Sequence, residues 1–157
     1  DIFKKSGLAS NVFNVDGIRI TDYKVWVNRL CPAIKADDSG QSFICAVAHM
    51  NIAGMAKENK RTFIGECDAG LLKLVVPIFV NGEFLGAVGA CGLLLDDGEV
   101  DSFMINRTIG MDYEKIESLS HDIKKITSEE AEALGKYISE RIDKIVSDFE
   151  KQDGQPK

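Results

Sequence analysis

The sequence has few of the features that membrane, secreted and nucleic-acid-binding proteins share. No apolar run approaches the ~20 residues that a membrane-spanning helix needs, and no signal-peptide pattern of charged and then apolar residues opens the chain. Acidic side chains outnumber basic ones by 25 to 19, which gives a net charge of −6. Nucleic-acid binding needs a basic surface, so we expect no binding of nucleic acid. The absence of a membrane-spanning run and of a signal peptide leads us to expect a cytoplasmic protein that does not bind membranes.

Several catalytic signatures are also missing. The sequence contains no GxxxxGK[ST] phosphate loop, no HExxH zinc motif and no GxSxG nucleophile motif. Gly86, Gly89 and Gly92 form a GxxGxxG pattern, but they lie inside a predicted strand. We therefore expect a helix or a small ligand to approach the sheet closely at these glycines.

The composition is that of a globular domain, with 45% hydrophobic and 28% charged residues in a chain of 157. A chain of this length is normally one domain, and we place it at residues 1–150. Residues 151–157 are predicted to be a tail or linker. The first residue is Asp1 rather than Met, so we expect a domain excised from a longer protein.

Four cysteines and two histidines are the main candidates for site chemistry. Small secreted scaffolds carry more cysteines in fewer residues, so we expect reduced thiols. Cys31, Cys45 and Cys67, with Cys91 or His49 as a fourth ligand, could hold zinc or an iron–sulfur centre. Their wide spacing, without a CxxC pair, fits equally well with cysteines buried as small apolar side chains. The sequence leaves the cofactor unknown.

Two turn signals predict β-hairpins. Asp16-Gly17 predicts a half-buried hairpin that sets Phe13 opposite Ile20. Asn81-Gly82 predicts a second hairpin with apolar residues on both faces, which should be covered on both sides or face a pocket. The pairs predicted across this second turn are Phe79 with Phe84 and Ile78 with Leu85.

Helical periodicity is strongest in three segments, Gln41–Lys60, Asp112–Ser120 and a C-terminal helix that reaches about Glu150. Thr127 and Glu130 have the spacing of a capping box at the start of the last helix. An apolar stripe follows, and its distal part extends past the surface that one small domain can cover, which predicts a homodimer. The residues of that distal part are Ile138, Ile142, Ile145 and Phe149.

Five short motifs carry a resemblance to a known family over roughly residues 11–142. They are Cys31-Pro32, Cys67-Asp68-Ala69-Gly70-Leu71-Leu72, Val76-Pro77-Ile78, Asn81-Gly82-Glu83 and Leu85-Gly86. In these motifs the chain resembles the PocR-type sensory domain, a variant of the PAS-like fold. It departs from the family's pattern at Asp68, where a His is common, and at Cys91, where a Gly is common.

The resemblance implies a fold of the α+β class. It has a PAS-like antiparallel sheet of about five strands, helices packed on one face, and a long C-terminal helix. It also implies sensing without catalysis: a small organic molecule binds between the sheet and the helix Gln41–Lys60. Binding is relayed through the C-terminal helix to a covalently linked regulatory output domain. The candidate ligand-binding residues are Trp26, Cys31, Cys45, Cys67, Phe79 and Cys91.

Three other functions remain open at this point. The cysteines could form a metal or iron–sulfur redox or gas sensor. Cys67 could be the nucleophile of a thiol enzyme, with His49 as its base. The chain could also be a purely structural or dimerising module.

Overall fold

The structure, a computed structural model, describes residues 1–153 and has the predicted α+β class with a long C-terminal helix. Its helices are α1 (Ile2–Ser6), α2 (Leu30–Lys35), the π-helix (Gly40–Ala46), α3 (Val47–Asn59), α4 (Ser102–Ile109), α5 (Tyr113–Ser120) and α6 (Ser128–Asp153). Its strands are β1 (Ala9–Asn14), β2 (Phe63–Glu66), β3 (Leu72–Val80), β4 (Glu83–Cys91), β5 (Leu94–Leu95) and β6 (Lys125–Ile126).

The main sheet has four antiparallel strands in the order β1-β4-β3-β2, and β5 and β6 form a separate parallel pair. About five strands were expected. The missing one is the segment 15–28, hereafter the strap, which follows β1 and makes a single bridge to it, between Phe13 and Arg19. The sheet therefore has an irregular strap along its β1 edge instead of a regular fifth strand.

The first hairpin is shifted by one residue from the predicted register, because Phe13 lies opposite Arg19 and not Ile20. The side chain of Asn14 explains the shift. Its Oδ1 accepts hydrogen bonds from the amides of Asp16 and Ile18, which gives a turn one residue longer than predicted. A one-residue shift reverses the side on which each side chain lies. Ile18 and Ile20 are consequently exposed and not half-buried.

The second hairpin keeps its predicted turn. Phe79 and Phe84 pair, with ring centroids 5.5 Å apart. A bulge between Ile78 and Phe79 then shifts the rest of the register, so Ile78 lies opposite Gly86 and not Leu85. Gly86 has φ 152°, and a Cβ at this position would clash with the backbone of β1.

Helices cover the main sheet on both faces, whereas the resemblance implied packing on one face. On the α6 face, Leu74 and Val76 of β3 share a core with Leu134 and Ile138 of α6. On the α3 face, the intervening residues of the same strands pack against α3. The buried residues of that contact are Ile52, Ala56, Val75 and Ala87.

A third apolar cluster lies beyond the end of the sheet, where α2, the π-helix, α4 and α5 meet. Its buried members include Leu30, Ile44, Ile105 and Ile116. Cys31, Cys45 and Cys67 pack against this cluster. The fold therefore gathers three cysteines of distant sequence position at one end of the α3 face.

The predicted capping box of α6 is confirmed. The Thr127 amide donates to Glu130 Oε2 at 2.9 Å, and the Glu130 amide donates to Thr127 Oγ1 at 3.1 Å. The helix continues to Asp153, three residues past the predicted end, and residues 154–157 of the predicted tail lie outside the described residues. Near its far end, Glu150 Oε1 accepts a hydrogen bond from the amide of Asn81, in the β3–β4 turn, at 2.8 Å.

The apolar stripe of α6 is only partly covered. Ile138 is buried and Ile142 packs against the core, but Ile145 and Phe149 are exposed. Within residues 1–153, no helix combines the length and the apolar character that crossing a membrane would require.

Candidate functional site

The α3 face has a point of close approach at Gly89, in the middle of β4. A Cβ at this position would lie 3.0 Å from Phe13 Cε2 and 3.4 Å from His49 Nδ1. The absence of a side chain lets the rings of Phe13 and His49 reach the sheet surface, with ring centroids 3.8 Å apart. The close approach that the glycine pattern predicted is therefore made by an α3 histidine and a β1 phenylalanine.

Lys73 enters the same place from β3. It is the cross-strand partner of Cys91, so its side chain lies on the α3 face, and only 8% of it is exposed. Its Nζ lies 5.5 Å from the centroid of the Phe13 ring. No carboxylate among residues 1–153 lies within the 4.0 Å of an ion pair with it. We call Phe13, His49, Lys73 and Gly89 the inner-face cluster.

His49 is 4% exposed, and its Nδ1 is buried without a hydrogen-bond partner among the described residues. Burial, followed by the charges of Lys73 and Lys35, lowers the pKa of this imidazole to about 4. The ring is therefore neutral at pH 7. A buried polar atom without a partner is uncommon in folded proteins and requires an explanation.

The four cysteines lie beside the inner-face cluster and form what we call the thiol cluster. They come from α2, the π-helix, the loop after β2 and the end of β4, and none is in a disulfide. Cys31, Cys45 and Cys67 pack against the same apolar cluster, whereas Cys91 lies at the end of β4. The fold thus brings three of the four nominated cysteines to one apolar cluster.

Burial dominates the ionisation of these thiols. It raises the pKa of Cys31 to about 12 and the pKa of Cys45 to about 11, and it also raises the pKa of Cys67. All three are therefore protonated at pH 7. Because the thiolate is the reactive form, burial keeps these three cysteines in their less reactive form.

The same positions are not arranged as a metal site. In the part of the chain that the structure describes, no group of three or more His, Cys, Asp or Glu side chains is placed to hold a metal ion. Cys31, Cys45 and Cys67 pack against one apolar cluster, as cysteines buried as small apolar side chains do.

The other two predicted lining residues lie elsewhere. Trp26 is on the strap with 48% of its surface exposed, and Lys35 Nζ lies 5.6 Å from its ring centroid. Phe79 is six residues along β3 from Lys73, which corresponds to about 20 Å of extended strand. It packs near the C-terminal end of α3, where Lys60 Nζ lies 5.9 Å from its ring. Trp26 lies two residues before Asn28, whose Nδ2 donates to Cys31 Sγ at 3.2 Å.

Two residues of the site were missed by the sequence analysis, Phe13 and Lys73. The available signal for Lys73 was a single cation in the otherwise apolar run Leu71–Val80. Such a residue on a strand buried on both faces has to be paired, or to serve a function. Phe13 offered no comparable signal, because its place depends on the pairing of β1 with β4, 74 residues away at Ala87.

The strap covers the inner-face cluster from the solvent side. Gly17 contacts Met50, and a Cβ on it would lie 3.7 Å from Cδ2 of His49. Thr21 holds the middle of the strap, since its Oγ1 donates to Asn11 Oδ1 at 3.1 Å and accepts from the amide of Val12 at 3.1 Å. The cluster is thus enclosed between the sheet, α3 and a strap held by few hydrogen bonds.

Two open depressions on the surface do not include the cluster. One, of about 530 Å³, is lined by Trp26, Val27, Asn28, Arg29, Pro32, Asp122 and Lys124. The other, of about 700 Å³, is lined by Asp96, Asp97, Lys125, Ile126, Thr127, Ser128 and Glu129. Both are shallow and bordered by exposed charged side chains, so the buried polar groups of the inner-face cluster mark the better candidate site.

Comparison with known proteins gives one match. The sequence model of a family described as the sensory domain found in PocR matches residues 1–148, nearly the whole chain. No curated protein and no solved structure matches it.

Proposed function

The chain belongs to the family of sensory domains found in PocR, and from this premise we propose that it binds a small organic molecule at the inner-face cluster. One observation carries the proposal: His49 Nδ1 is buried without a hydrogen-bond partner in the described chain, beside the buried Lys73. Leaving such groups without partners costs stability. A ligand with a polar group would supply the missing partner.

The surroundings suit the apolar part of such a ligand. Phe13 and the thiol cluster offer a small apolar surface next to the polar atoms, as small-molecule sites generally do. We therefore assign ligand contacts to Cys31, Cys45, Cys67 and Cys91, and we add Phe13, His49 and Lys73. Trp26 is left out because it is exposed, and Phe79 because it lies six residues along β3 from Lys73.

Two neighbouring segments provide a route to the site. The π-helix carries Cys45 and continues directly into α3. Although π-helical turns are rare in proteins, those that occur often lie at functional sites. The strap has few backbone bonds to the sheet. We propose that the strap and the π-helix move apart to admit the ligand and close again over it.

The signal has a direct path to α6 through β3. Lys73 and Val75 face the site, while Leu72, Leu74 and Val76 between and beside them face α6. A ligand that displaces β3 or β4 therefore changes the packing of α6. It acts by favouring one of two states that already exist, and α6 would carry the change to an attached output domain.

We also propose that this sensor works in the cytoplasm, catalyses no reaction and forms a homodimer. The exposed Ile145 and Phe149 on the distal part of α6 support a contact with a second copy. Light scattering on the 157-residue chain tests this contact, and a monomer at micromolar concentration would contradict it.

The ligand proposal is tested by a thermal-shift screen of small alcohols, diols, amides and acids. A true ligand raises the melting temperature of the wild type in a saturable way. The effect is lost in His49→Leu and kept in His121→Leu, a matched control because His121 is the other histidine of the chain and is exposed. Ligand-dependent stabilisation that survives in His49→Leu would place the site elsewhere.

The cysteine-liganded metal or iron–sulfur sensor stays the alternative function. Its support is that Cys31, Cys45 and Cys67 are free thiols that pack against one apolar cluster. An absorbance spectrum and metal analysis of protein purified without oxygen or chelator decide the matter. Stoichiometric iron or zinc would favour this alternative over the organic ligand.

A further inference from the structure

The ammonium of Lys73 has no anion to neutralise it in the described chain. It lies on a strand buried on both faces, with 8% of the residue exposed, and no carboxylate of residues 1–153 forms an ion pair with it. Its Nζ faces the ring of Phe13 at 5.5 Å. His49 Nδ1 is the fully buried side-chain nitrogen without a partner in the described chain, so the little-exposed Lys73 still reaches solvent at its ammonium.

The neighbouring titratable groups do not supply a negative charge either. Burial raises the pKa of Cys31, Cys45 and Cys67, so these thiols are protonated at neutral pH. His49 is neutral because its pKa is lowered to about 4. A buried charge is normally paired, and no group of the described chain pairs with this one.

We propose that the ligand of this site is a small organic acid whose carboxylate binds between Lys73 Nζ and His49 Nδ1. This inference rests on the proposed function and names its ligand class. One carboxylate oxygen accepts from the ammonium, and the other accepts from the imidazole, protonated on Nδ1. The apolar body of the acid lies against Phe13 and the thiol cluster.

A carboxylate fits better than a phosphate for two reasons. First, Lys73 is the lysine of the inner-face cluster, while the Lys35 ammonium lies 5.6 Å from the ring of Trp26 on the strap. Secondly, phosphate sites usually use the free amides of a helix N-terminus. The first residues of α3 offer none, since α3 continues from the π-helix and its preceding residue Ala46 already has helical dihedrals.

The experiment compares acids with amides of nearly the same shape, using the 157-residue chain. Propionate and benzoate are titrated at constant ionic strength against propionamide and benzamide. Two quantities are followed: the melting temperature and the NMR signal of the His49 ring, which is distinguished from His121 with the His121→Leu variant. Lys73→Met removes the charge, and Lys125→Met, an exposed strand lysine, is the matched control.

The expected result is that at least one acid shifts the His49 signal and raises the melting temperature of the wild type and of Lys125→Met, while its amide has no effect. Lys73→Met should weaken this binding about 30-fold or more, because one partner of a buried charge pair is lost. Bound acid should also raise the pKa of His49, since a negative charge beside the ring favours the imidazolium.

Two results would overturn the inference. Amides that bind as well as acids, or acids that still bind to Lys73→Met, would mean that Lys73 selects no carboxylate. The proposed function would then survive with a neutral ligand. If neither acid changes the His49 signal, the carboxylate site is absent. The broader screen with His49→Leu then decides separately whether the site binds any organic molecule.

Discussion

Successive residues of β3 serve different purposes on the two faces of the sheet. Leu74 and Val76 enter the α6 face, where the buried core members are apolar. Lys73, one residue earlier, enters the α3 face opposite Cys91 and close to the ring of Phe13. The two faces of the same strands therefore carry side chains of different polarity. Both faces have an apolar core, but only the α3 face also keeps polar groups that stability alone would not select.

The largest expected effect comes from the α6 face. Leu74→Ala should lower the free energy of unfolding by about 3 kcal/mol, because it removes a fully buried side chain and leaves a cavity. Denaturant unfolding measures it. Exposed Leu85 provides a matched control, and Leu85→Ala should cost well under 1 kcal/mol. Equal losses at the two positions would contradict the assignment of this face as the stabilising core.

The next effect belongs to the α3 face and depends on pH. The pKa of His49 is about 4 in the folded chain and about 6.5 when unfolded, so the unfolded state takes up its proton first as the pH falls. The contribution of the neutral His49 ring to the free energy of unfolding is complete above about pH 6.5 and is lost as the pH falls towards 4. Between pH 7 and pH 5 the loss should be about 2 kcal/mol.

This pH effect is measured by urea unfolding of the wild type and of His49→Leu across the same range. The carboxylates titrate in both proteins, so the difference between the two curves isolates the imidazole. Parallel curves would show that His49 keeps its ordinary pKa, and therefore that it is not enclosed as the structure describes.

The smallest effect should have the opposite sign. Lys73→Met replaces a buried, unpaired charge with an apolar side chain of similar length, so without ligand it should raise the free energy of unfolding by about 1 kcal/mol. Lys125→Met, at an exposed lysine, should change it by less than about 0.5 kcal/mol. A large destabilisation by Lys73→Met would show that the ammonium contributes to the fold itself.

Local signals predicted much of the fold. Thr127 and Glu130 made the capping box, and Asn81-Gly82 placed its turn with Phe79 opposite Phe84, because these interactions form between residues close in sequence. The predicted strand registers of both hairpins were wrong, because the features that set them do not appear as a pattern in the sequence. The Asn14 side chain lengthened one turn, and a bulge at Ile78 shifted the other hairpin.

The site was predictable only in part, for a related reason. The family resemblance nominated the cysteines, and three of them, Cys31, Cys45 and Cys67, pack against one apolar cluster. The place of Phe13 and the reach of Lys73 across Gly89 depend on the alignment of three strands from distant parts of the chain. No local signal contains that alignment, so only the assembled sheet shows which polar groups share an enclosure.

The hydrogen bond between Glu150 and Asn81 has a mechanical consequence for α6. The helix has 26 residues and is therefore about 39 Å long. The capping box fixes its start, and Asn81 holds it again near its far end, at the tip of the β3–β4 hairpin. Because α6 is held at both of these points, its direction depends on the twist of the sheet on which it packs. A small change in hairpin twist would therefore tilt the last described turn of α6, which ends at Asp153.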